Sequence, residues 1–177
     1  MVLIRDAESK DIPALKTLFL QLGYQTETAI LEQRITEPQS MMHTLVAEAE
    51  NAVCGVVVIN FILPVHENRL WALISALVIE ESSRGSGIGH QLLHAAERLA
   101  RDKQCAHIEL SSSENRTRAH QFYENNGYKE VRKRFVKHLS YVLTACARGL
   151  SPDDRNYILP SRIFNMRRRG SAAPHNS

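Results

Sequence analysis

Residues 77–93 read LVIEESSRGSGIGHQLL and carry the most information in the chain. An apolar strand pattern ends at Ile79, three glycines spaced by two occupy residues 85–89, and an apolar pattern at helical spacing begins at Ile88. Because glycine lacks a Cβ, successive backbone N–H groups can be exposed there, and the start of a helix adds a partial positive charge. The segment therefore predicts a strand-to-helix turn that binds phosphate.

The spacing of this turn differs from two known phosphate-binding motifs. A dinucleotide fingerprint GxGxxG that begins at Gly85 requires glycine at position 90, where this chain has His90. A Walker A loop requires Gly-Lys-Ser/Thr, which is absent from the sequence. A turn in which the glycines serve only close packing is the alternative interpretation.

Strand and helix patterns alternate on both sides of the turn. The predicted order is β-α-α-β-β-β-α-β-α-β, with room for a further final strand. Strands are predicted at residues 2–5, 44–48, 53–59, 71–79, 106–110 and 135–139, and helices at residues 11–22, 27–35, 88–101 and 119–125. Because the two kinds of element interleave, we predict one mixed α/β (α+β) domain over residues 2–139. Residues 140–177 are predicted to be a C-terminal extension, largely irregular or disordered.

Charge is distributed unevenly between these two parts. Residues 1–139 contain 16 basic and 17 acidic side chains, whereas residues 140–177 contain 6 and 2, so the net charge of +3 comes from the extension. A nearly neutral domain lacks the basic surface of a nucleic-acid-binding protein, and we expect no nucleic-acid partner. The arginines at 167–169 leave open an interaction protein whose extension binds an anionic surface.

The cysteines and the apolar runs bear on the compartment. Cys54, Cys105 and Cys146 are odd in number and far apart, so we predict neither a metal site nor a disulfide framework. The N-terminus has no apolar region of the signal-peptide type, and the apolar runs are shorter than the about 20 residues of a membrane-spanning helix. We therefore expect a cytoplasmic protein with no membrane partner.

Two motifs in the chain resemble one family. The segment 84–89, RGSGIG, is similar to the Arg/Gln-x-x-Gly-x-Gly/Ala signature of the GCN5-related N-acetyltransferases, the GNAT superfamily. Residues 119–128, AHQFYENNGY, resemble that superfamily's Ala-x-x-Phe/Leu-Tyr-Glu-x-x-Gly-Phe/Tyr motif, at the usual distance after the turn. The resemblance covers about residues 2–139, and two motifs in the right order disfavour the packing-only interpretation.

The resemblance implies a fold and a coenzyme site. The fold is a central mixed, mostly antiparallel sheet flanked by helices, and acetyl-coenzyme A lies where the sheet splays beside the strand before the turn. A bulge within residues 75–79 frees main-chain groups for the acetyl and pantetheine parts, and the pyrophosphate lies on N–H groups from Arg84 or Gly85 through His90. Asn115 stands one residue further from the second motif than the family's asparagine, and we retain it as a contact. The implied coenzyme-binding residues are Leu77, Val78, Ile79, Arg84, Gly85, Ser86, Gly87, Ile88, Gly89, His90, Asn115, Ala119 and Phe122.

The implied reaction transfers acetyl from the thioester to a primary amine of a small molecule by direct attack. An amine with a pKa of about 10.4 is mostly protonated at neutral pH, so a base or a water relay must take a proton. Tyr123 matches the family's tyrosine near the coenzyme sulfur and is implied to be the general acid; a core tyrosine is the alternative. The strand glutamate of some relatives is missing here. The candidates for the base are His66, Glu67, Glu80 and Glu81.

The acceptor surface is expected from the first two helices, from residues 22–25 between them and from the connection at residues 64–69. Residues 120–123 and 134–139 are similar to small-molecule acetylators such as aminoalkylphosphonate acetyltransferases. A polyamine, an aminoglycoside and a protein N-terminus stay open as acceptors. A coenzyme-binding sensor without catalysis is a further alternative, favoured by the missing glutamate, and a homodimer also stays open.

Overall fold

A five-stranded sheet and four helices make up the part of the chain that the computed structural model describes, residues 1–37, 40–131 and 135–137. The strands are β1 (Val2–Asp6), β2 (Met42–Ala49), β3 (Ala52–Ile62), β4 (Trp71–Ile79) and β5 (His107–Leu110). The helices are α1 (Ile12–Leu20), α2 (Thr28–Thr36), α3 (Ile88–Asp102) and α4 (Thr117–Asn125), and single turns of 3-10 helix occupy Ser9–Asp11 and Glu81–Ser83. This confirms the predicted mixed α+β fold.

The sheet is mostly antiparallel. Its strands are hydrogen-bonded in the order β1-β2-β3-β4-β5, and only β4 and β5 run parallel. A hairpin joins β2 to β3 through Glu50 and Asn51, whose φ angles of 52° and 63° are those of a two-residue turn that follows the strand twist. The parallel pair needs a crossover, and α3 supplies it.

The helices cover both faces of the sheet. Helix α3 packs its apolar side on the face that includes Val57, Ile59 and Ile74, whereas α1 and α2 pack on the opposite face against Val56 and Val78. Alternate residues of a strand point to opposite faces, which is why the neighbours Val56 and Val57 belong to different clusters. Strands β3 and β4 thus contribute residues to both apolar cores.

Strands β4 and β5 part halfway along β4. Their pairing runs only from Trp71 opposite His107 to Ile74 opposite Leu110. Strand β4 continues to Ile79 against β3 alone, and Ser75 has no partner on β3, so it forms a β-bulge. Residues 75–79 therefore have one edge with no strand beside it in the described part of the chain, and this edge leads into the glycine turn.

The last predicted elements fall largely outside the described residues. The chain divides into units of residues 1–131 and 132–177, and every strand and helix named above lies in the first. Of the predicted strand at 135–139, residues 135–137 are not in a strand, which is a correction, and residues 138 and 139 lie outside the described residues. The predicted extension at 140–177, with Cys146 and the arginines at 167–169, also lies outside them.

A buried ion pair joins β1 to the start of α1. The Asp11 carboxylate accepts hydrogen bonds from Arg5 Nη1 at 2.7 Å and Nη2 at 2.8 Å, and from the Glu8 N–H at 2.8 Å. These bonds, the guanidinium first, hold the pKa of Asp11 below its ordinary value. Arg5 Nε also donates to Glu48 Oε2 at 2.7 Å. Strands β1 and β2 and the first helix are thus linked through one arginine.

We expect Asp11→Asn to lower the free energy of unfolding by roughly 2 kcal/mol at pH 7, because a buried charged acceptor is lost. A lowered folded-state pKa stabilises the fold above the unfolded-state pKa, near 3.9, and this contribution is lost as the pH falls through the folded-state value. The free energies of unfolding of the wild type and of Asp11→Asn, measured with urea, should therefore become equal in acid. Asp6→Asn, an exposed position on the same strand, is the control, and a difference that is constant with pH would contradict this account.

Candidate functional site

The glycine turn has the backbone conformation that only glycine adopts without strain. Gly85 has a φ of +85° and Gly87 a φ of +83°, both in the left-handed region. A Cβ built on either residue would meet no atom within 4 Å, so conformation rather than crowding selects glycine at these two positions. Gly87 is also the N-cap of α3, so the turn ends where the helix begins.

The turn leaves a row of backbone donors free. Within the described part of the chain, no residue accepts a hydrogen bond from the N–H groups of residues 85–90, and no side chain caps α3. The first N–H with an acceptor is that of Gln91, which donates to the Gly87 carbonyl at 3.2 Å. Six successive N–H groups at the exposed head of a 15-residue helix make a strong site for an anion.

Arg84 supports this turn instead of extending from it. Its Nε donates to the Ile79 carbonyl at 3.2 Å, and Nη2 donates to Gln21 Oε1 at 3.1 Å. The Arg84 N–H donates to the Glu81 carbonyl at 3.3 Å, so the row of free donors begins at Gly85 and not at Arg84. Of the predicted base candidates, Glu80 accepts from Gln21 Nε2 at 3.1 Å, and Glu81 lies 3.7 Å from the guanidinium. Both carboxylates are thus held in the same network.

The three predicted strand contacts differ in where their side chains lie. Val78 is 4% exposed and packs into the core beneath α1 and α2, so only its main chain can face the open edge of β4. Leu77 and Ile79 are partly buried against the core beneath α3. Ser75, at the bulge, accepts a hydrogen bond from Asn60 Nδ2 at 2.8 Å and stays exposed.

Helix α4 meets the turn at the third glycine, Gly89. A Cβ on Gly89 would lie 3.4 Å from Cζ of Phe122 and 3.7 Å from Cγ1 of Ile79, so the three residues meet at one point. Ala119 lies one turn before Phe122 on the same helix and is partly buried. The two predicted motifs are therefore brought together at the end of β4.

Tyr123 is a half-buried residue of α4. Its ring lies 5.3 Å from that of Phe122 and 6.0 Å from that of Tyr128, measured between centroids. Burial raises the pKa of Tyr123 above its ordinary value, although nearby Arg116 opposes this in part. Among the described residues no group accepts from its hydroxyl, whereas Tyr128 donates to Glu97 Oε1 at 3.4 Å. The Tyr123 hydroxyl therefore stays protonated well above neutral pH.

The segment between β5 and α4 contains one residue that sequence reasoning missed. The Ser112 hydroxyl is buried and has no hydrogen-bond partner in the described part of the chain. Ser112 follows β5 by two residues, just past the point where β4 and β5 part. No sequence signal marks this serine among its two serine neighbours. Asn115, in the same segment, is exposed and precedes α4 by two residues.

The remaining base candidates lie at the other end of β4. His66 lies in the connection before β4 with its ring 6.0 Å from the Trp71 ring, and Glu67 is exposed beside it.

The described residues contain no group of three or more His, Cys, Asp or Glu able to hold a metal ion. Burial raises the pKa of the Cys54 and Cys105 thiols, which makes these two residues poor nucleophiles. No helix in the described ranges is both long and apolar enough to cross a membrane.

Comparison by sequence finds relatives over most of the chain. A model of a family described as the acetyltransferase (GNAT) family matches residues 10–128. An aminoalkylphosphonate N-acetyltransferase from Salmonella typhimurium (strain LT2) is 30% identical over 141 residues, which are 77% of this chain and 90% of that protein. The matched family segment contains the glycine turn and the α4 motif.

Comparison by structure finds the same fold in solved proteins. A protein described as a transcriptional regulator from Bacillus halodurans C-125 has a TM-score of 0.71 and 22% identity, over 78% of this chain and 100% of that one. An aminoglycoside N-acetyltransferase in complex with CoA has a TM-score of 0.69 and 15% identity, over 78% of this chain and 95% of that one. At these identities the likeness concerns the fold alone.

Proposed function

Because the chain belongs to the acetyltransferase (GNAT) family, we propose that it transfers the acetyl group of acetyl-coenzyme A to a primary amine of a small molecule. The observation that carries this proposal is the open edge of β4, which leads from the bulge at Ser75 into the row of free N–H groups at residues 85–90. The open edge of β4 thus leads directly to the N–H groups that we propose as an anion site.

The residues present fit the coenzyme. The free N–H groups of residues 85–90 would hold its pyrophosphate, and the edge of residues 75–79, roughly 13 Å long at 3.3 Å per residue, would hold the pantetheine. The Ser112 hydroxyl is buried and has no partner among the described residues, and Ser112 comes two residues after the last β4–β5 pair, so we assign it a contact with the bound coenzyme. We assign Phe122 and Ala119 to the wall formed by α4, and Asn115 to a contact near its start.

In the proposed reaction, this chain holds the two reactants and moves protons. Acetyl-coenzyme A supplies the acetyl group as an activated thioester. We assign its reacting end to the region of Ser75, where β4 and β5 begin to pair. Tyr123 is assigned as the general acid, because its raised pKa keeps the hydroxyl protonated at neutral pH and nothing described accepts from it.

An aminoalkylphosphonate is the first acceptor to test. The 30% identical relative is named for that substrate, and the exposed side chains of His66 and Arg69 stand at the start of β4, where an anionic group of an acceptor could bind. Aminoglycosides come second, because structural neighbours are named for them. A homodimer and a cytoplasmic location remain predictions of the sequence.

The test is thiol release from acetyl-coenzyme A with four panels of amines: aminoalkylphosphonates, polyamines, aminoglycosides and short peptides. We expect turnover with aminoalkylphosphonates at a kcat/KM at least tenfold above that of the other panels, on the grounds that a matched charge pair contributes about 1.4 kcal/mol or more. Turnover with peptides alone would indicate a protein acetyltransferase. Coenzyme binding without turnover would indicate a sensor, and failure to bind coenzyme A in a titration would contradict the proposal itself.

A further inference from the structure

Two rows of side chains cross the sheet beside the open edge of β4. In the register of the strands, Asn60 lies opposite Leu73 and Leu73 opposite Glu109. In the next row, Trp71 lies opposite His107. Cross-strand partners share a face, and the alternate residue Ile108 packs against the core beneath α3. Glu109 and His107 therefore project from the face opposite α3.

This face carries a carboxylate beside the His107 ring, which in turn lies beside the Trp71 ring. Glu109 Oε2 lies 3.7 Å from His107 Nε2, and the two side chains are 40% and 39% exposed. The Trp71 ring lies 5.0 Å from the His107 ring and 6.0 Å from the His66 ring, between centroids. A carboxylate beside aromatic faces is the arrangement that binds an ammonium group, through charge and through cation–π attraction. The exposure of both side chains leaves room for a ligand.

The carboxylate is next to the proposed reaction centre. Glu109 precedes Leu110, which forms the last pair before β5 leaves β4, and its partner Leu73 stands two residues before the bulge at Ser75. Two residues of strand, about 6.6 Å, thus separate the Leu73–Glu109 pair from Ser75, where the open edge starts. Of the other base candidates, Glu80 accepts from Gln21, Glu81 lies 3.7 Å from the Arg84 guanidinium, and His66 and Glu67 lie in the connection before β4, outside the paired strands.

We infer that Glu109 is the carboxylate that binds the ammonium group of the acceptor and takes its proton, with His107 as the residue that positions it. This inference rests on the proposed function. One proton of the ammonium passes to Glu109 and on to solvent, and the neutral nitrogen forms its bond to the acetyl carbon as the carbon–sulfur bond breaks. The nitrogen then loses a second proton to solvent, Tyr123 takes up a proton from solvent to replace the one it gave to the sulfur, and the third stays on the amide nitrogen.

The experiment compares wild type, Glu109→Gln, Glu109→Asp and, as a matched control, Glu50→Gln in the β2–β3 turn. Coenzyme A binding is measured by titration, and kcat and KM for an aminoalkylphosphonate are measured from pH 6.5 to 9.5. We expect Glu109→Gln to lower kcat/KM about 100-fold at pH 7, Glu109→Asp to restore part of it, and coenzyme affinity to stay unchanged in all variants. The deficit should shrink as the pH rises, because more of the amine then arrives neutral.

A purely structural role for Glu109 would give a deficit that is independent of pH. That result, wild-type turnover in Glu109→Gln, or a loss of its coenzyme affinity would overturn the inference while the acetyltransferase proposal stands. If the wild type binds no coenzyme A or turns over no amine, the proposed function fails and this inference fails with it. Thermal unfolding of each variant identifies a loss of activity that comes from a loss of fold. If Glu109→Gln is unfolded, the turnover of Glu109→Asp and its pH dependence test the inference instead.

Discussion

Gly87→Glu is expected to weaken coenzyme A binding about a thousandfold while the protein stays folded. The substitution places a carboxylate at the head of α3, beside the free N–H groups of residues 85–90 that we assign to the pyrophosphate. Like charges brought together at a binding site cost several kcal/mol, and about 4 kcal/mol corresponds to a thousandfold in affinity. The φ of +83° at this residue adds roughly 1–2 kcal/mol of backbone strain, which lowers stability rather than affinity.

Gly23→Glu separates these two effects. Gly23 follows α1 with a φ of +86°, and a Cβ there would also meet no atom within 4 Å, so the strain is matched. It lies outside the row of free donors, and we expect its coenzyme affinity to equal that of the wild type. Calorimetric titration with coenzyme A and thermal unfolding measure the two quantities for both variants. Equal losses of affinity would mean that strain, and not charge at the anion site, is responsible.

The turn and its surrounding elements could be predicted because their signals are local. Glycines at residues 85 and 87 occupy left-handed backbone, as their spacing before an apolar helix indicates, and helix α3 begins at Ile88 as predicted. The β2–β3 hairpin follows in the same way from two turn residues between alternating strands. Such features depend on neighbours within a few positions, so one sequence contains them.

The direction of Arg84 and the face of Glu109 could not be predicted, because each depends on distant partners. Arg84 donates to Gln21, which is 63 residues away in the chain, and this contact holds the guanidinium beside the end of α1. Glu109 acquires its place from the register of a four-residue strand against β4 and from the bulge at Ser75. Within β5 alone, His107 and Glu109 look like ordinary exposed residues on either side of Ile108.

Tyr123→Phe is expected to lower kcat about a thousandfold and to leave coenzyme affinity and stability nearly unchanged. A general acid contributes 10²–10⁴ in rate, and the phenylalanine keeps the ring between Phe122 and Tyr128 while it removes the proton. Stability should hold because the Tyr123 hydroxyl has no hydrogen-bond partner among the described residues to lose. The rate of thiol release measures kcat, titration with coenzyme A measures affinity, and urea unfolding measures stability.

Tyr128→Phe is the matched control for this variant, because Tyr128 is also half-buried but donates to Glu97. We expect it to lose about 1 kcal/mol of stability and to keep its kcat, the reverse of Tyr123→Phe. Burial raises the pKa of Tyr123, so the wild-type rate should fall only above the ordinary tyrosine value of about 10, and this alkaline decline should be absent from Tyr123→Phe. A decline that persists in Tyr123→Phe would assign the proton donation to another group, since the phenylalanine has no proton to lose.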